Sequence, residues 1–388
     1  TGTNGKTSSA RIVTSLLVAT GLSVGTYTSP HLEKVTERIS LSGAPIEEDV
    51  FAEMFEHLVP YVDLVEARLD EKLTYFEWLT GLFYFWAAEA PVDALVVEVG
   101  LGGRWDATNV VPAPVSIITN IGLDHTDLLG AERTLIAAEK AGIIKEGATI
   151  VTGERAPDAL AVIADEAARC NASLMRLDAD VQIIENQVAF GGRFLSLKST
   201  PGSFDGLFLP LHGAHQGVNA ALALEAVGAF LPAQDLSSEL VAEGFAAVSA
   251  PGRMETIKQA TASSSPVILD VAHNPAGISA LVGALIEAFA FERVVFVVGI
   301  LADKDHTGIL TELSRLPAAV VFTEPRSGRA RSADELAALA DGLGLVTQVI
   351  QNVPEAVDAA MQLAEPGDLI CITGSHYVVG EARSYLAR

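Results

Sequence analysis

The first eight residues, Thr1-Gly2-Thr3-Asn4-Gly5-Lys6-Thr7-Ser8, set two glycines, a lysine and hydroxyls in the order that phosphate chemistry needs. Backbone N–H groups around Gly2 and Gly5 can cradle a triphosphate. Lys6 can reach its outer phosphates, and the Thr7 hydroxyl can touch Mg²⁺. Residues 8–19 read as a helix whose positive N-terminal end would face the anion. A Gly-rich turn between strand and helix is the plainer alternative. Such a loop ordinarily follows a buried strand, so the chain is expected to be a trimmed piece of a longer protein.

Three more polar groups follow apolar, strand-like runs, where ligands sit in open α/β sheets. Ser29 lies in Tyr27-Thr28-Ser29-Pro30-His31, Glu98 ends Ala94-Leu95-Val96-Val97, and His125 closes Asn120-Ile121-Gly122-Leu123-Asp124-His125. A hydroxyl, a carboxylate and an imidazole can serve Mg²⁺, which prefers oxygen ligands, waters and phosphates and tolerates imidazole. Read singly, they are a turn residue, a solvated strand end and a helix cap. Gly100, Gly102 and Gly103 let backbone come close to a ligand, or simply make a flexible loop. Lys140 lies in a mostly apolar helix, and an unpaired buried ammonium is costly. It either snorkels outward, pairs with an acid, or is chemically modified.

The elements that must position these groups alternate between strand and helix, the pattern of an α/β protein with mainly parallel sheets. Strands are predicted over residues 94–99, 115–118 and 148–152, and helices over 47–69, 75–90, 134–142 and 158–170. Residues 180–209, broken by Gly191-Gly192 and Pro201-Gly202, read as hairpins. Helices over 217–230 and 237–247 follow. Ser249-Ala250-Pro251-Gly252 then marks a boundary between a P-loop domain, 1–250, and a smaller doubly wound α/β domain, 251–388. The second has predicted strands over 267–271, 294–299, 319–323, 346–350 and 369–373, with helices including 277–289 and 333–340.

Hydrophobic residues make up 49% of the 388, enough for sizeable cores and against disorder. The formal charge, 25 − 49 = −24, repels nucleic acid and anionic membranes, though a few cations in a cleft still admit an anionic substrate. Cys170 and Cys371 cannot make a disulfide framework, which fits a reducing cytoplasm. The longest apolar stretch, residues 79–91, carries Glu89 and is too short to span a bilayer.

Long ordered motifs carry a family resemblance. Tyr27 to Leu32, Thr36-Glu37-Arg38-Ile39, Glu98 to Asn109, Glu139-Lys140-Ala141-Gly142-Ile143, Asp270-Val271-Ala272-His273-Asn274-Pro275 and Gly374-Ser375-His376-Tyr377 resemble the folylpolyglutamate synthase/dihydrofolate synthase family of the Mur ligase superfamily. The resemblance covers nearly the whole chain. It implies ATP phosphates on Thr3, Asn4, Gly5, Lys6 and Thr7, and Mg²⁺ at Ser29, Glu98 and His125. It implies that Lys140 is carbamylated and holds a second Mg²⁺. Asn219, Arg253 and Asp270 match nucleotide-contacting positions, Asp270 reaching across from the second domain, and His273 matches a further active-site position. Thr74, Tyr75, Phe76 and Glu77 with Trp105, Asp106 and Ala107 would bind the pterin. Many members carry glycine after the loop lysine, but this chain has Thr7, as the peptidoglycan Mur ligases do.

The implied enzyme is an ATP-dependent ligase, with Lys6, Lys140 and His273 as catalytic groups. It joins L-glutamate to dihydropteroate, or to the terminal carboxylate of a reduced folate, through an acyl phosphate. It is expected to be a cytoplasmic monomer working on small molecules, with no nucleic-acid or membrane partner. A peptidoglycan Mur ligase and a non-ligating P-loop ATPase are the competing readings.

Overall fold

The computed structural model describes residues 1–69, 71–232, 235–258 and 265–387. Backbone contacts group them into two compact units. The first holds residues 1–187, 194–210 and 216–248; the second holds 249–388 with 188–193 and 211–215. The chain passes between them at 187/188, 193/194, 210/211, 215/216 and 248/249, the last beside the Ser249–Gly252 segment.

In the first unit the loop at Thr1–Gly5 runs directly into helix Lys6–Ala19. Strand Val24–Tyr27 pairs in parallel with Ala94–Val97 and antiparallel with Ile39–Leu41. A second sheet sets Val115–Ile118, Thr149–Thr152 and Ser173–Arg176 in parallel, in that order. Strand Val115–Ile118 has the predicted bounds, whereas the apolar run 94–99 stops pairing as strand at Val97. Glu98 therefore stands just past a carboxyl end, its N–H still donating to the Tyr27 carbonyl.

Helix Glu48–Leu69 buries Met54, Leu58 and Val62, a spacing of four that puts them on one face. That face joins a core with Leu79, Leu82, Phe83 and Trp86 of helix Tyr75–Glu89. Complete burial of side chains such as Leu82 and Phe83 contributes about 1.5–3 kcal/mol each. Thr74 and Glu77 form a reciprocal capping box that starts the second helix. Helix Arg133–Ala141 buries Ile136, Ala137, Lys140 and Ala141, so Lys140 lies on the face turned to the core. Residues 180–209 give a three-stranded meander of Gln182–Ala189, Gly192–Ser199 and Gly202–Leu209.

The second unit is built on six strands in the order Glu255–Lys258, Val267–Leu269, Leu369–Thr373, Val294–Val298, Ala318–Phe322, Val346–Val349. The first pair is antiparallel and the rest are parallel. Every residue of Val294–Val298 and Leu369–Thr373 is buried, as expected of central strands covered on both faces. Among the described residues, no helix is long and apolar enough to cross a membrane.

Candidate active site

Gly5 has a φ of 83° at the start of helix Lys6–Ala19, a left-handed conformation that glycine enters most easily. It is also crowded, since a Cβ there would stand 2.5 Å from Asn219 Oδ1. Asn219, which the resemblance assigns to the nucleotide, thus packs against the loop. The outer side of the loop is tied to residues 119–122. Thr3 N–H donates to the Asn120 carbonyl at 3.0 Å and Asn4 N–H to Asn120 Oδ1 at 3.0 Å. The Thr119 hydroxyl donates to the Asn4 carbonyl at 2.6 Å. Lys6 Nζ donates to the carbonyls of Gly2 and Thr3, at 2.8 and 3.4 Å, so its ammonium folds over the loop.

Glu98 is 4% exposed and joins two elements. Its Oε1 accepts from the Thr7 hydroxyl at 2.8 Å and its Oε2 from the Ser29 backbone N–H at 3.2 Å. The tie to Ser29 runs through the main chain, not through the hydroxyl that the sequence put forward. His125 occupies the N-cap position of helix Thr126–Leu129 with a φ of 51°, and its ring makes no capping bond. Its Nε2 stands 3.9 Å from Asp124 Oδ1. Among the described residues no three His, Cys, Asp or Glu side chains gather as a metal cage. The oxygens that meet there are the Glu98 carboxylate and the Thr7 hydroxyl, which suits an ion that keeps waters and phosphate oxygens among its ligands, whereas the Ser29 group bonded to Glu98 is an N–H and not a metal ligand.

Lys140 is 4% exposed, which rules out outward snorkelling. Its pKa falls to about 7, first through burial and then through the Lys6 ammonium, against the pull of Asp124, Glu139 and Asp106. Lys6, Lys140, Asp106 and Asp124, scattered along the sequence, therefore share one electrostatic neighbourhood. Asp124 escaped the sequence reading although it adjoins His125.

The glycines after Glu98 serve close packing within the protein. A Cβ on Gly100 would stand 2.5 Å from the Phe76 ring. One on Gly103 would stand 2.8 and 2.9 Å from the carbonyls of Glu139 and Lys140. The loop is thereby pressed onto Phe76 on one side and onto the Lys140 helix on the other.

Beside it opens a cavity of 660 Å³ lined by Thr74, Phe76, Glu77, Trp105, Asp106 and Ala107 among others. The two stretches assigned to the pterin converge there, with Tyr75 as the exception. Its side chain lies outside the lining, exposed, with the Arg38 guanidinium 5.3 Å above its ring. Neighbours in a helix point about 100° apart, so the first turn cannot send all of 74–77 one way. Thr74 and Glu77 reach the cavity while bonded to each other. Glu77 Oε2 accepts from both the Thr74 N–H and its hydroxyl at 2.7 Å, which holds the Glu77 carboxyl below its ordinary range. Asp106 braces the loop by accepting from Leu101 N–H at 2.9 Å and Thr108 N–H at 3.0 Å. Trp105, 86% exposed, presents an open indole. Leu128, Leu129 and Leu135 add an apolar wall that the sequence reading missed, because apolar residues in short amphipathic segments read as core.

In the second unit Asp270 follows strand Val267–Leu269. Its Oδ2 accepts from Met254 N–H and its Oδ1 from Ala272 N–H, both at 2.9 Å. Burial raises its pKa, opposed by the Arg253 guanidinium. His273 Nδ1 lies 2.8 Å from the Val271 carbonyl, and its ring stands 5.4 Å from that of His376. Arg253, Asp270 and His273 thus gather on this unit, beyond the carboxyl ends of Val267–Leu269 and Leu369–Thr373.

Known proteins match this chain along its whole length. The Mur ligase middle domain matches residues 1–227, and the Mur ligase glutamate ligase domain matches 252–376. The chain is 40% identical to a dihydrofolate synthase/folylpolyglutamate synthase of Mycobacterium tuberculosis, over all of this chain and 85% of the relative. A crystal structure of M. tuberculosis folylpolyglutamate synthase complexed with ADP and AMPPCP superposes with a TM-score of 0.95 at 41% identity, covering 100% of this chain and 90% of that one. Escherichia coli FolC in complex with DHPP and ADP does so with a TM-score of 0.87 at 34% identity, covering 100% and 87%. The chain belongs to the folylpolyglutamate synthase/dihydrofolate synthase family, the ATP-dependent glutamate ligases of folate metabolism among the Mur ligases.

Proposed function

We propose that this ligase joins the carboxylate of dihydropteroate, or of a reduced folate's terminal glutamate, to the amine of L-glutamate at the expense of ATP. A carboxylate is a poor electrophile, so it is first phosphorylated. Its oxygen attacks the γ-phosphorus, ADP leaves, and an acyl phosphate forms. The glutamate amine then attacks the acyl carbon, phosphate leaves, and the amine proton passes to solvent. The protein's share is placement and charge stabilisation.

The reading is carried by one observation. The 98–106 loop links Glu98, bonded to Thr7 of the phosphate loop, to Trp105 and Asp106 of the acid-sized cavity. Glu139, on that cavity's wall, precedes Lys140, which feels the charge of Lys6. In this reading Thr3, Asn4, Gly5, Lys6 and Thr7 hold the phosphates, and Asn219, Arg253 and Asp270 serve the nucleotide. His273 supports the reacting phosphate. Phe76, Trp105, Asp106 and Ala107 receive the heterocycle, with Thr74 and Glu77 at the rim. Ser29, Glu98 and His125 would hold one Mg²⁺ and carbamylated Lys140 a second, and the ions supply charge neutralisation on the phosphoryl group. Carbamylation needs a neutral amine, which a pKa near 7 supplies. All the invoked groups lie on one chain, so a monomer suffices. Two buried, unbridged cysteines suit the cytoplasm.

The test is phosphate release with Mg-ATP, assayed with dihydropteroate and with tetrahydrofolate, each with and without glutamate. Release coupled to an amide product and dependent on both acid and glutamate is expected. Release without either would make the protein a plain ATPase. Release only with a muramyl acid would place it in the peptidoglycan branch.

A further inference from the structure

Behind the phosphate loop stands a carboxylate that the proposed reaction does not use. Glu154 follows strand Thr149–Thr152 and is 7% exposed. Its Oε2 accepts from the backbone N–H of Ile121. Its Oε1 accepts from those of Arg155 and Ala156, at 2.9 and 2.7 Å. Both oxygens are thus engaged, and each bond to a charged acceptor is stronger than a neutral one.

Ile121 is the middle of the irregular segment against which the phosphate loop is built. On one side of it, the Asn120 carbonyl and Oδ1 receive the N–H groups of Thr3 and Asn4. On the other, Gly122 N–H donates to Thr3 Oγ1 at 2.8 Å, and that hydroxyl donates back to the Gly122 carbonyl at 3.1 Å. The bonds run without a break from the carboxylate, through Ile121, to the two residues that begin the anion cradle. Gly153 adds closeness, since a Cβ there would stand 2.6 Å from the Thr119 carbonyl.

We propose that Glu154 is a positioning residue for ATP: it fixes residues 120–122, and they hold the backbone of Thr3 and Asn4, whose N–H groups are engaged by Asn120, so that the loop running on to Gly5 and Lys6 keeps its shape for the phosphates. The proposal rests on the reading that Thr3 to Lys6 hold the phosphates. A simpler role competes with it. The bonds to Arg155 and Ala156 also steady the start of helix Pro157–Arg169, which could account for the carboxylate without any bearing on ATP.

Glu154→Gln separates the two roles. Its amide keeps one acceptor oxygen, so one arm must meet an NH2 group. Mg-ADP affinity is measured by calorimetry, KM for ATP and for glutamate by steady-state kinetics, and the melting midpoint by calorimetric scan. The expected result is a roughly tenfold weaker Mg-ADP affinity and a matching rise in KM for ATP, the worth of about one charge-assisted hydrogen bond. KM for glutamate should stay within about twofold, because the proposal ties Glu154 to the phosphate loop alone. A lowered melting midpoint with unchanged ADP affinity would overturn the proposal and leave a helix-start role. Thr3→Val reads the same bonds from the other end and covers the case in which Glu154→Gln does not fold. It should weaken ADP similarly, and the double variant should lose less than the two losses combined; unchanged ADP affinity in Thr3→Val, or full additivity, would overturn the proposal. Lys6→Ala is the control. If it leaves ADP affinity intact, the phosphate-loop reading itself fails; if only Glu154→Gln leaves it intact, the positioning role alone fails.

Discussion

Lys140 shows how one buried side chain can set a pH dependence. Its pKa drops from 10.5 to about 7 on folding. Between those values the unfolded chain binds more protons at this site than the folded one. Stability from this group therefore rises with pH across that window and is lowest below about pH 7. The same neutral amine is the form that adds CO2. A carbamate signal from ¹³C-bicarbonate should grow between about pH 6 and 8 and vanish in Lys140→Ala, with turnover falling about 10–100-fold. Full turnover at about pH 8 with no carbamate signal would remove the carbamate from the mechanism, and full turnover in Lys140→Ala would remove the lysine. Residues of this kind were legible in the sequence because their type is unusual for their place: a lysine in an apolar helix, a glutamate ending an apolar run. Asp124 and Glu154 were not. Nothing in a one-dimensional pattern says that Glu154 meets Ile121, 33 positions away.

At the scale of elements, the two most useful glycines behave oppositely. Gly103 faces the carbonyls of Glu139 and Lys140 within 3 Å of where a Cβ would stand. Gly103→Ala must push the loop off the Lys140 helix, costing about 1–3 kcal/mol and displacing the lysine. Gly283, inside helix Pro275–Ala288, has nothing within 4 Å of its Cβ position. Gly283→Ala should stabilise by about 0.5–1 kcal/mol. Chemical denaturation of both variants checks the pair, and a neutral Gly103→Ala would show that the loop can yield. Glycine spacing alone suggested approach to a ligand; the contacts that demand it come from Phe76 and helix Arg133–Ala141. Strand Leu369–Thr373 and helix Ala333–Ala340 were read to their ends, since each run is bounded by a clear change in polarity. The predicted strand 94–99 overran because Val99 prolongs the apolar run past Glu98. Helices at His306–Leu313, Val353–Leu363 and His376–Leu386 went unread despite capping side chains at Asp305, Asn352 and Ser375.

For the whole molecule, the second unit contains an ion pair made from distant parts of the chain. Arg193, 1% exposed, gives two hydrogen bonds to Glu287, at 2.7 and 3.0 Å. Removing the carboxylate of such a pair takes two charge-assisted hydrogen bonds from a buried guanidinium. Glu287→Ala should therefore cost about 2–4 kcal/mol, discounted for the partial exposure of Glu287, as read from urea denaturation. An unchanged midpoint would mean that Arg193 does not depend on Glu287.

That pair also bears on how such a gene could be rearranged. Residues 188–193 and 211–215 come early in the chain yet belong with residues 249–388. A recombination event near codon 250 would not exchange a clean module. It would leave two short strips of the old second half behind, one of them carrying Arg193. A viable chimera must then inherit an acid at the place of Glu287, and a first half made alone would have to hold its strips in water.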